Sequence, residues 1–223
     1  QIQYLAELVQ NESGCTHELL YEKTFSPEED PHNLEINGAT LCEDRDGNMD
    51  HAYSFDGDAW IEEDTYYGIA LYQNTIFHAS CWIYPEPQAG NEDPMVFLCL
   101  GNQADEWSSP PMLVFGMNPD RSLFATVGLS TNPSTELTVS GGPILDSGQW
   151  VQVAIEYVAD SGLLRLFVDG EEVARAKGEP FNYLELNSNP VYIGRAWHGD
   201  LFKGRIDDIL ISKNPGRLIW MAW

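Results

Sequence analysis

Eleven short runs rich in β-branched and aromatic residues recur along the chain, each followed by a turn signal: ELLYEKTF, HAYSFDG, TIFHASCWIY, MVFLCLG, MLVFGM, SLFATVGL, WVQVAIEYV, LLRLFVDG, EEVARAKG, PVYIGRA and GRIDDILIS. Runs of this length can each bury one face and turn back through Gly, Asn and Asp, which predicts an antiparallel sandwich or barrel. Helical periodicity over a dozen residues is absent, and the nearest approaches are YLAELVQ at the N-terminus and a short helical turn in DTYYGIALYQ.

The stretch from Trp150 to Lys177 is the most legible. In WVQVAIEYV, Val151, Val153, Ile155 and Tyr157 alternate with Trp150, Gln152, Ala154 and Glu156, so the first set forms one buried face. DSG and then DG turn the chain twice, because glycine tolerates the positive φ of tight hairpins, and a three-strand meander results. The Pro-, Asn- and Gly-rich stretches 85–94, 102–111, 130–148 and 178–190 are too short to be linkers. They read as rim loops, and residues 1–223 read as one domain.

Thirty-five acidic against eleven basic residues give a formal charge of −24, which excludes nucleic acid as a partner by repulsion of the phosphate backbone. No apolar run reaches the roughly 18 residues of a membrane span. A start at Gln1 without an apolar leader reads as a processed, exported protein, extracellular or at the cell surface. Cys15, Cys42, Cys81 and Cys99 lack zinc-ligand spacing and admit one or two disulfides. If residues 76–84 and 95–101 pair as a hairpin, Cys81 and Cys99 form the first bridge; two buried thiols are the alternative.

The ordered set INGATLCEDRDGNMDHAYSFDGDAWIEE, FHASCWIYPE, QWVQVAIEY, LRLFVDGEEVA, PVYIGRA and FKGRIDDILISKNP resembles the laminin-G-like jelly rolls of the concanavalin A-like lectin and glucanase superfamily over residues 15–215. The resemblance implies an all-β fold of two antiparallel sheets with the first and last strands adjacent. It implies little about activity, because this fold carries lectins, adhesion modules, hydrolases, lyases and structural domains. It also implies that Trp82 and Trp150 are core aromatics.

DRDGN, residues 44–48, fails as an EF-hand loop: counting from Asp44, Gly47 is fourth and the twelfth residue is Phe55. It reads as the turn before a strand. The resemblance does imply a structural calcium at Gly57 and Asp207, helped by Asp56 or Asp58, with a purely hydrogen-bonded structural Asp as the alternative. Alternation in RIDDILIS independently turns at least one of Asp207 and Asp208 toward an apolar side, where a carboxylate requires compensation by a cation, an arginine or backbone amides. Calcium, Arg205 and Arg195 are the candidates.

Catalytic signatures are lacking. Two carboxylates on one strand in the E-x-D-x-x-E pattern of retaining glucanases do not occur, nor do the strand signatures of alginate lyases. The acids of WIEEDTYY and VDGEEVA read as solvated. His17, His32, His51, His78 and His198 stand in no nucleophile motif, and His78 reads as a sheet residue. Sugar stacking needs exposed aromatic rings with polar neighbours, and the loop positions Trp107, Trp197 with His198 and Asp200, and Tyr66 with Tyr67 supply them. The tail GRLIWMAW carries Trp220 and Trp223 and reads as a contact with a second copy or a larger assembly. The leading expectation is a non-catalytic exported module that binds glycan or another surface ligand. Its alternatives are a structural subunit of an extracellular assembly and, behind that, a polysaccharide hydrolase or lyase.

Overall fold

The computed structural model describes residues 18–25, 34–63, 69–72, 75–87, 93–101, 113–128, 136–180, 183–186, 190–196 and 201–215, and every structural statement below concerns these. They form strands and turns with no helix among the described residues. Numbered in chain order, the first sheet contains β1 (Glu18–Lys23), β3 (Thr40–Cys42), β4 (Ala52–Asp56), β7 (Thr75–Pro85), β12 (Val151–Val158), β13 (Leu163–Val168), β14 (Glu171–Lys177) and β17 (Lys203–Pro215). The second contains β2 (Leu34–Asn37), β5 (Trp60–Glu63), β8 (Met95–Leu100), β9 (Leu113–Met117), β10 (Leu123–Gly128), β11 (Glu136–Gly141) and β16 (Val191–Ile193). A separate pair joins β6 (Ile69–Tyr72) to β15 (Tyr183–Leu186).

The first sheet runs β14-β13-β12-β7-β17-β4-β3 and the second β11-β10-β9-β8-β16-β5-β2, all pairs antiparallel. The long β17 is the spine: β7 lies along one side, and β4 and β1 share the other. The first and last described strands are therefore neighbours, as the sandwich reading expected. The meander β12-β13-β14 also stands, with Asp169 and Gly170 both at positive φ in its second turn.

Both sheets close over one core. Phe97 of the second sheet meets Phe202, just before the spine strand, at 5.2 Å and 90°, and Phe115 at 5.6 Å and 85°. Such edge-to-face packing adds to what area burial alone contributes. Val153, Ile155 and Tyr157 supply the buried face of β12, while Val151 is only half-buried.

Five expectations are corrected, the first being that 130–148 and 178–190 are rim loops: they contain the strands β11 (Glu136–Gly141) and β15 (Tyr183–Leu186). Residues 76–84 and 95–101 do not pair, because β7 lies in the first sheet and β8 in the second. Cys81 faces the sandwich core and Cys99 packs in a separate cluster with Val96 and Tyr192; Cys42, Cys81 and Cys99 are thiols, and Cys15 lies outside the described residues. The DTYYGIALYQ segment contains a strand, β6, at Ile69–Tyr72. Glu63 of WIEE is buried rather than solvated, accepting from Tyr21 Oη at 2.7 Å and pairing with Lys23 Nζ at 3.2 Å. Helix at YLAELVQ and contacts of GRLIWMAW fall outside the described residues.

Candidate functional site on the outer face of the first sheet

The turn between β3 and β4 is built by Asp44. Its carboxylate accepts from the backbone N–H of Asp46 and of Asn48, both at 2.8 Å, and from Asn48 Nδ2 at 2.9 Å. Gly47 supplies a φ of 87°, which other side chains rarely adopt. Slight desolvation opposes ionisation of Asp44, but the hydrogen bonds from Asn48 and Asp46 outweigh it and hold the carboxyl below its ordinary range. DRDGN is thus a self-braced turn, as read from the sequence.

This turn delivers Arg45 across the sheet to the spine. Arg45 Nη1 lies 2.9 Å from Asp207 Oδ2 and 2.6 Å from Asp208 Oδ2, and its guanidinium stacks 4.8 Å above the ring of Trp82. Asp207 is only 2% exposed, and its second oxygen accepts from the N–H of Asp208 at 2.8 Å. Burial, reinforced by Asp208, pushes the Asp207 carboxyl up to about 7 against the pull of Arg45. Compensation comes from an arginine and a backbone amide, two of the kinds expected, but the arginine is neither Arg205 nor Arg195.

Strict alternation fails here for a local reason. The register of β17 against β7 shifts between Asp207 and Leu210, and Asp208 takes a φ of 45°. That bulge lets Ile206, Ile209 and Ile211 all enter the core while Asp207 stays beside the outward Trp82.

Next to this clamp runs a row set by register: Ser54 of β4, Arg205 of β17 and Tyr84 of β7 are lateral partners, and Trp150 stands just before β12. Arg205 lies 4.9 Å over the ring of Tyr84, which also meets the edge of Trp150 at 5.6 Å and 61°. Inward neighbours on the same strand, Phe77, Ala79, Cys81 and Ile83, fill the core. Trp82, Tyr84 and Trp150 are instead half-buried on the outer surface, which corrects the expectation that both tryptophans are core residues. Reading from sequence missed them because a strand aromatic gives no sign of its face until its register is known.

Farther along the same face, Arg165 bridges Glu156 at 3.0 Å and Glu172 at 3.8 Å, and Arg175 pairs with Glu172. Burial raises the Glu156 carboxyl, partly offset by Arg165 and reinforced by Glu172. An arginine between the two carboxylates satisfies both, which makes this a structural network.

The three residues assigned to calcium do not meet. Asp56 is the partner of Lys203, four residues along β17 from Asp207, about 13 Å at strand rise. Gly57, at φ 100°, lies one residue farther on in a turn where Asp56 caps the N–H of Asp58 at 2.9 Å. Among the described residues no group of three His, Cys, Asp or Glu is placed to hold a metal. As placed, these residues do not fit one calcium site. Trp107, Trp197, His198, Asp200, Tyr66 and Tyr67 all lie outside the described residues.

Comparison with known proteins agrees with this architecture. Rabbit (Oryctolagus cuniculus) sex hormone-binding globulin is 36% identical over 77 residues, which span 31% of this chain and 19% of the globulin. The binding domain of botulinum neurotoxin serotype G superposes with a TM-score of 0.62 at 8% identity, covering 91% of this chain and 49% of that one. Domain 4 of AbnA, a GH43 extracellular arabinanase from Geobacillus stearothermophilus solved with arabinotriose, gives 0.58 at 16% identity, covering 91% of this chain and 95% of that one. Among the described residues no helix is long and apolar enough to cross a membrane. A family model described as the concanavalin A-like lectin/glucanases superfamily matches residues 63–215, more than half of the sequence, and the chain belongs to that family.

Proposed function

We propose that this chain is an exported, non-catalytic module that binds glycan across the Tyr84 and Trp150 rings on the outer face of the first sheet. The observation that carries this reading is the placement of those rings: edge-to-face, half-buried and outward, beside the polar groups of Ser54, Arg205 and Gln152. A fixed aromatic surface with convergent donors is what recognition of a sugar face and its hydroxyls requires. The arabinanase domain of similar fold, solved with arabinotriose, and the lectin-containing family support the reading. An extracellular setting agrees with the same relatives.

A glycan array followed by titration calorimetry tests it. Trp150→Ala is expected to weaken the best ligand by roughly 5- to 100-fold, as loss of one stacking aromatic does, with a cooperative melting transition retained. An array without hits, or a Trp150→Ala variant that binds like the parent, would overturn the reading.

One observation favours a second role in protein assembly. Ile36 on the edge strand β2 and Leu41 on the edge strand β3 are 39% and 44% exposed, both at the open side of the sandwich. Concentration-dependent sedimentation abolished by Leu41→Lys would support assembly through that edge; a monomer at all concentrations would dismiss it.

A further inference from the structure

We infer, on the glycan reading above, that the ligand carries an isolated acidic group, carboxylate or sulfate, and that Arg205 is the residue that recognises it. The chain has 35 acidic residues for 11 basic ones, so a cation on its surface has many opportunities to pair. The other arginines on the outer face of the first sheet do so: Arg45 with Asp207 and Asp208, Arg165 with Glu156 and Glu172, and Arg175 with Glu172, whereas Arg195, just past β16 of the second sheet, lies over the rings of Trp60 and Tyr192. Among the described residues Arg205 makes no ion pair or hydrogen bond, and its guanidinium lies 4.9 Å over the Tyr84 ring.

Its nearest expected partner has been taken away. Asp207 follows Arg205 by two residues on the same face, about 7 Å along the strand, within reach of a guanidinium. Yet both Asp207 oxygens are engaged, one by Arg45 and the other by the N–H of Asp208. Arg45 comes from a different element, the braced 44–48 turn, so the clamp keeps the fork of Arg205 vacant. The contact with Tyr84 holds the guanidinium beside the ring, and its forked N–H groups match the paired oxygens of a carboxylate or sulfate.

Position and charge narrow the class further. Tyr84 lies between Arg205 and Trp150, so an anionic substituent and a stacked ring can be met by adjoining parts of one short saccharide. A net charge of −24 repels a polyanionic chain over the distance of a Debye length, whereas a single charge docking directly on Arg205 meets mainly its local field. The geometry therefore points to a singly acidic sugar and not to a heavily sulfated polymer.

The test uses a panel of oligosaccharides ending in a carboxylated or sulfated sugar, each beside its neutral parent, and a highly sulfated polysaccharide, read by calorimetry on the full chain. At least one acidic member is expected to bind about tenfold or more tighter than its neutral parent, and more tightly per site than the polymer. Arg205→Gln should erase that preference while leaving binding of the neutral parent, and Arg205→Lys should restore part of it. Arg45→Ala, which does not touch the ligand, should also reduce the preference by releasing Asp207 to capture Arg205. Melting curves of each variant separate lost recognition from lost fold. Equal affinity for every acidic and neutral pair, a preference that survives Arg205→Gln, or tighter binding of the polymer overturns this inference and leaves the glycan reading intact. Failure of every saccharide to bind overturns both.

Discussion

Asp207 shows how a single side chain can be legible in kind and not in partner. Its place in RIDDILIS announced a carboxylate that needs compensation, yet the residue that supplies it is 162 positions away in sequence, in a loop whose reach no periodicity encodes. Its titration has a defined sign. The folded carboxyl titrates near 7 against an unfolded value of 3.8, so the folded state holds the proton more tightly. The resulting stabilisation is complete below about pH 4 and is lost as pH rises to 7, because over that window the folded state binds more protons than the unfolded one. Asp207→Asn removes this dependence while leaving Asp208 to hold Arg45. Chemical denaturation across pH 4 to 8 should therefore show the parent losing roughly 2–4 kcal/mol relative to the variant as pH rises. Parallel curves for the two proteins would contradict the assignment.

Elements were legible where their period was long enough to establish a face. The eight residues of β12 and the hairpin turns after it gave strand, face and neighbour together, whereas β2, β3 and β5, at three or four residues each, carry too few alternations to be seen, and the six-residue β11 was hidden in a stretch read as a loop for its Pro, Asn and Gly. The pairing of β7 with β8 was misjudged because consecutive strands joined by a loop can sit in different sheets, and local sequence does not distinguish that from a hairpin. β17 ties these outcomes together, since its bulge corrects the alternation around Asp207 and its Gly204 positions Tyr84. Gly204 has a φ of 146°, and a Cβ built there would lie 2.3 Å from the Tyr84 carbonyl oxygen and 2.8 Å from the Phe202 ring. Gly204→Ala must push β17 away from β7 or expel Phe202 from the core. We expect it to cost about 2 kcal/mol or more in urea denaturation and to weaken glycan binding by displacing Tyr84. Unchanged stability would mean that the strands separate there without resistance.

At the scale of the molecule, the alternating runs and turns dictate two sheets over one core, and that much is readable in the sequence. What they do not dictate is which end of a paired strand holds a given charge, and the calcium expectation turns on this. Asp56 and Asp207 lie on adjacent strands, but antiparallel register sets them four residues apart, and Arg45 already occupies the position a cation would take at Asp207. The −24 charge makes a second, unspecific effect of cations inevitable: self-repulsion destabilises the compact state, and any salt screens it. The two effects separate cleanly in a thermal melt. Added NaCl should raise the melting temperature gradually without saturating, CaCl2 at matched ionic strength should do no more, and a chelator should change nothing. A saturable rise at calcium concentrations far below those that screen charge, abolished by Asp207→Asn, would instead require Arg45 to withdraw and the β3–β4 turn to rearrange around the ion.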